Sequence, residues 1–140
     1  MASIRREIEI AAPPEAVWDA IRDVGAIHTR LAPGFVTDTR IDGDARVVTF
    51  GNGLVARELI VDLDDAGRRL AWSVVGGRMT HHNASLQVFA DGVSRCRAVW
   101  IADLLPHDLE GAIAGMIDQG MAAMKRTLER GQAPTSRASA

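Results

Sequence analysis

The side chains with chemistry to offer are few: the acid Glu58 inside an apolar stretch, adjacent His81 and His82, the lone thiol Cys96, and the indoles of Trp72 and Trp100. Around Glu58, one alternation phase presents Leu54, Ala56, Glu58 and Ile60, and the other presents Val55, Arg57, Leu59, Val61 and Leu63. Successive strand residues face opposite sides, so either Glu58 or Arg57 points inward. Buried beside Trp72 or Trp100, the Glu58 carboxyl would serve as a general acid or base; exposed to solvent, it would pair with Arg57 or a cross-strand arginine. His82 offers a polar contact or a proton shuttle near neutral pH, against the structural alternative of a strand-end imidazole bonded to backbone or water.

Other chemistries are excluded by spacing. His81 and His82 point to opposite faces, so they do not clasp one ion, and neither a metal nor another cofactor is expected. Cys96 shares the apolar phase of Ala98, Trp100, Ala102 and Leu104, which marks it as an inert core thiol. Asp103 falls out of that phase and is structural. Gly51-Asn52-Gly53 is a hairpin turn with no helix behind it to receive a phosphate, and no Gly-x-Ser-x-Gly elbow occurs. Phase also puts Leu70, Trp72 and Val74 on one face, and Ala84, Leu86 and Val88 inward with His82, leaving His81 outward.

The elements that must hold these residues follow from periodicity and punctuation. Residues 3–11 alternate, with Ile4, Ile8 and Ile10 opposite Arg5, Glu7 and Glu9, as a half-buried strand does; Arg6 interrupts the apolar side. Pro13-Pro14-Glu15 opens a helix that buries Val17, Ala20, Ile21 and Val24, with Trp18 beside Ile21. Gly25 breaks it, and residues 26–31 read as a second short helix closed by Pro33-Gly34. Five turn signals then separate six strands at 35–42, 45–50, 54–63, 69–75, 79–90 and 93–105, with connections too short for parallel crossovers.

Residues 107–130 carry the longest unbroken period. Leu109, Ile113, Met116, Ile117, Met121, Met124 and Leu128 form one stripe of an amphipathic helix, and Gly131 is expected to stop it. Gly120 lies at the centre of that stripe, where glycine costs about 1 kcal/mol relative to alanine. Either a strand approaches it closely, or a hollow lies beneath, flanked by Met116, Met121 and Met124. In the second case Gly120→Leu would fill the hollow and weaken binding without unfolding. Phe35 is placed to close one end of such a cavity, with His28 and Arg30 beside it in solvent. No external apolar stripe is expected, and residues 132–140 read as a frayed tail after a domain spanning 1–131.

This order, with Ala12-Pro13-Pro14-Glu15-Ala16-Val17-Trp18, the Glu58 and Trp72 strands, Trp100 through Pro106 and the methionine-rich last helix, resembles the START-like helix-grip superfamily. That superfamily is also called SRPBCC and includes the birch-pollen-allergen type and the polyketide cyclase/dehydrase-like proteins. The resemblance covers residues 3 to about 130 and implies an α+β helix-grip fold, β-α-α-β6-α. Its seven-stranded curved antiparallel sheet wraps around a long C-terminal helix. It also implies a cavity between sheet and helix, and it favours Glu58 over Arg57 as the inward residue. The candidate ligand-binding residues are Phe35, Glu58, Trp72 and His82 on the sheet side, Trp100 on the last strand, and Ile113, Met116 and Gly120 on the helix.

The function so implied is a small-molecule-binding protein that encloses an apolar or amphipathic ligand. One alternative is a cyclase, dehydratase or isomerase using Glu58 or His82 for proton transfer. Another is a protein-interaction module of the chaperone-activator type, which requires a filled interior and an exposed apolar patch. Composition narrows the partners. A net charge of −2 and a pI near 6.1 over 140 residues give no basic footprint for nucleic acid. A single cysteine suits a reducing compartment, no secretory leader or membrane span is expected, and the cytoplasm is the expected location, as monomer or homodimer.

Overall fold

A computed structural model describes residues 2–132; the tail expected at 132–140 lies outside the described residues except for Gln132. Strand β1 (Ala2–Ile10) leads into helix α1 (Pro14–Arg22) and then a single π-helical turn, Ile27–Leu31. Six strands follow: β2 (Val36–Asp42), β3 (Ala45–Phe50), β4 (Val55–Asp64), β5 (Arg69–Val75), β6 (His81–Ala90) and β7 (Cys96–Leu105). A short 3-10 turn, His107–Leu109, precedes helix α2 (Glu110–Gly131). The sheet is antiparallel throughout in the order β1-β7-β6-β5-β4-β3-β2, so the meander is completed by the first strand pairing with the last. The curved sheet closes on α2 in the helix-grip arrangement.

Local chemistry accounts for the boundaries. Pro14 starts α1 at a position that needs no N–H partner, and Glu15 follows in the first turn. β6 and β7 are shorter than the 79–90 and 93–105 expected, because Gly76 and Gly77 hold positive φ and Asp91 N–H donates to Arg95 O, which turns the chain before pairing begins. Gly51 is required by close approach: a Cβ there would lie 2.5 Å from the Gly34 carbonyl oxygen. Helix α2 includes Gly131 as its last residue instead of stopping before it, and Gln132 N–H caps the Arg130 and Glu129 carbonyls.

The helix docks by its C-terminal half. Ile117, Met121, Ala123, Met124 and Leu128 are buried, whereas Leu109, Ile113 and Met116 are only partly buried. Polar contacts to β1 fix it there. Lys125 Nζ donates to Glu9 O at 2.5 Å, Ala11 N–H donates to Glu129 at 2.8 Å, and Arg6, the apparent interruption of β1, reaches Asp118 at 2.8 Å.

Three expectations need correction. His28, expected in solvent, has its Nδ1 atom buried, while Arg30 beside it is exposed as expected and bonded to Asp19 and Asp23. A register shift between Ile60 and Asp62 moves Leu63 to the core side, against the simple alternation that placed it outward. The outer face of β4 does carry an apolar stripe, Val55, Leu59 and Val61, next to Val75 on β5, because among the described residues no element covers the convex side of the sheet there.

Candidate functional site

Because α2 presses on the sheet only beyond Ile117, space remains under its first half. An inner chamber of about 100 Å³ lies there, and an outer vestibule of about 310 Å³ adjoins it. The two share Phe50, Glu58, His82, Ile113 and Met116 as common wall. The outer space is bounded by the β3–β4 turn, the β5–β6 loop around Gly76 to Met79, and the start of α2.

All eight residues singled out from sequence line the chamber, with Phe35, Glu58, Trp72, His82 and Trp100 on one side and Ile113, Met116 and Gly120 on the helix. Trp72 and Trp100 meet edge-to-face, 5.6 Å between centroids at 70°. They come from β5 and β7 and approach over β6, where Ala84 stands opposite both Trp72 and Ala102, so small residues leave room for two indoles.

Glu58 points inward, as the resemblance favoured, and Arg57 points outward to Asp42 at 2.6 Å. Its surroundings match neither alternative read from sequence. It is buried and also paired: Arg46 Nε donates to Glu58 Oε1 at 2.8 Å, and the guanidinium lies over the Trp72 ring at 5.3 Å. Arg46 was missed. The signal was present in β3, where Arg46, Val48 and Phe50 share one phase, but only strand register shows that Arg46 faces Glu58.

Gly120 also departs from both readings. A Cβ added there would lie 2.9 Å from the Phe35 ring, so the glycine makes room for an aromatic side chain, not for a strand and not for empty space. Gly120→Leu therefore strikes Phe35 instead of filling a hollow. Phe35 packs edge-on against Phe50, 5.4 Å between centroids, and closes the chamber at that end.

His82 extends inward from the start of β6, and burial holds its pKa below the ordinary imidazole value, with the neighbouring His81 acting in the same direction. The imidazole is thus neutral at pH 7, and its buried Nδ1 has no hydrogen-bond partner among the described residues. The Trp100 Nε1 atom is in the same condition. Burial pushes the Cys96 thiol up, as an inert core cysteine requires. Among the described residues no group of three or more His, Cys, Asp or Glu is arranged to hold a metal ion, and no helix is long and apolar enough to cross a membrane.

Comparison with known families settles the lineage. The family model for polyketide cyclase / dehydrase and lipid transport proteins matches residues 1–129. The chain belongs to that family. A search of curated proteins gave no match. Solved structures share the START-type fold. A Thermobifida fusca protein determined by NMR in solution is 29% identical, with a TM-score of 0.73 over 92% of this chain and 91% of its own. XoxI of Bacillus cereus is 18% identical, with a TM-score of 0.83 over 95% of this chain and 99% of its own. Norcoclaurine synthase from Thalictrum flavum, in complex with dopamine and hydroxybenzaldehyde, is 20% identical, with a TM-score of 0.68 over 92% and 84%. At the last two identities the likeness is one of fold.

Proposed function

We propose that residues 1–131 form one ligand-binding domain that encloses a small, largely apolar molecule between the sheet and α2. The observation that carries this is the chamber itself: its wall is apolar apart from the internally paired Arg46 and Glu58, the His82 imidazole and the Trp100 N–H. Concave, mostly apolar sites with a few placed polar groups are the usual form of small-molecule pockets. Burial of apolar surface would supply most of the affinity, at about 25 cal/mol per Å² before ordering costs. A filled interior, which the interaction-module reading requires, is not what the space beneath α2 offers.

The test is native mass spectrometry of freshly purified protein together with titration of an apolar fluorescent probe. A retained adduct, or one-to-one probe binding that Ile113→Trp weakens at least about tenfold without lowering the urea midpoint, is the expected result. Ile113 borders both spaces and is only partly buried, so a larger ring there blocks the passage without disturbing the packed half of α2. Absence of both adduct and probe binding overturns the proposal.

A second reading, proton transfer on the bound molecule, draws on one observation: the neutral His82 ring facing the chamber, whose buried Nδ1 has no partner among the described residues. Glu58 is the weaker candidate because Arg46 already engages its carboxylate. This reading expects a turnover that His82→Gln removes while binding survives, and full turnover in that variant ends it.

A further inference from the structure

Two atoms in the chamber wall lack something that the protein does not provide. Among the described residues, four buried side-chain nitrogen or oxygen atoms have no hydrogen-bond partner, and two of them, Trp100 Nε1 and His82 Nδ1, belong to residues lining this one space. Buried polar groups are nearly always paired, and an orphaned donor carries its full desolvation cost. An indole N–H can only donate, so its missing partner is an acceptor. Charge narrows the acceptor further. Arg46 and Glu58 neutralise each other, and the neutral His82 adds nothing, so the inner wall presents no net charge to balance an ionic group.

Resting on the ligand-binding reading above, we infer that the molecule taken up is uncharged and carries a hydroxyl or keto oxygen that accepts from Trp100 Nε1–H, with His82 Nδ1 pairing to the same polar end. The apolar remainder lies along Phe50, Ile113 and Met116 toward the vestibule. Ligands are then sorted by the oxygen at their inner end: a hydrocarbon of equal size leaves both nitrogens unsatisfied, and a carboxylate brings a charge that nothing there compensates.

Three bicyclic probes of nearly equal size separate these cases: 2-naphthol, naphthalene and 2-naphthoate, titrated into the whole protein at neutral pH. 2-Naphthol is expected to bind about tenfold more tightly than naphthalene, and 2-naphthoate more weakly than 2-naphthol. Trp100→Phe, which keeps a ring at that position but no N–H, is expected to bring 2-naphthol to within about twofold of naphthalene measured in the same variant. A readout independent of any variant is the indole N–H resonance of Trp100, which should shift downfield with 2-naphthol and not with naphthalene. Equal affinities for 2-naphthol and naphthalene would mean that water keeps these nitrogens satisfied, and would overturn the inference while leaving an apolar pocket. Tightest binding by 2-naphthoate would overturn the uncharged assignment. If none of the three binds, the inference falls, and the ligand-binding reading falls with it only if the purified protein also carries no adduct and binds no fluorescent probe.

Discussion

Arg46 and Glu58 stand opposite each other on one rung of the β3–β4 ladder and close a 2.8 Å ion pair inside the protein, at 4% and 7% exposure. The guanidinium also lies against the Trp72 ring, so the pair is part of the chamber wall and fixes one of its aromatic faces. Taking two charges out of water is costly, and their attraction offsets that cost only while both are present.

Removing one partner should therefore be far worse than removing both. Glu58→Ala is expected to destabilise by about 3 to 5 kcal/mol, because Arg46 is left charged and buried. The double variant Arg46→Met with Glu58→Leu should lie within about 2 kcal/mol of the parent. Urea unfolding of the two single variants and the double variant measures this. If the double variant loses the sum of the single losses, the pair is not coupled in the way the geometry requires.

Phe35 and Gly120 make a second coupled pair, and they can be separated by a cycle. In a Phe35→Ala background, Gly120→Ala should stabilise by about 1 kcal/mol, the ordinary gain from removing glycine from a helix interior. In the parent, the new methyl would meet the ring at 2.9 Å, so the gain should vanish or reverse. Chemical unfolding of the four proteins gives the coupling. Equal effects of Gly120→Ala in both backgrounds would show that the ring is not what requires glycine.

These two pairs also mark where sequence reading reaches its end. The strands, their order of connection and the inward phase of Trp72, His82 and Trp100 follow from alternation and turn residues, which are local signals. Leu63 escaped that logic because the shift after Ile60 flips the phase, and nothing in the local pattern announces it. Arg46 escaped because its partner is chosen by register between strands. Phe35 over Gly120 joins residues far apart in the chain, and a glycine in an apolar stripe says only that space is needed, not what fills it.

Cys96 provides a check on the packing beneath β7. It is fully buried and its thiol is pushed up by burial, so a thiol reagent should label it only when the protein opens. Labelling should be slow in native buffer and fast in denaturant. It should also accelerate in Glu58→Ala in step with that variant's loss of stability, because the reagent samples the open population. Rapid labelling of the native parent would mean that the sheet is less closed at Cys96 than the structure has it.

His82 ties the candidate site to pH. Its pKa in the folded state lies below the ordinary 6.5, and the first cause is burial. The unfolded chain therefore binds a proton that the folded chain resists, so stability rises with pH across the interval between the two values. This contribution is fully present above about pH 6.5 and is lost as pH falls toward the folded value; below both, His82 adds no further slope. Comparing urea midpoints of the parent and His82→Gln from about pH 7.5 down to about pH 5 cancels what the other titrating groups contribute. The parent should lose more stability than the variant over that range. A ligand that pairs with the neutral Nδ1 should hold the folded pKa lower still, so added 2-naphthol should widen the difference at the acidic end. Parallel curves for the two proteins would mean that the imidazole takes up its proton as freely in the folded chain as in the unfolded one, which would contradict a ring shut away in an apolar wall.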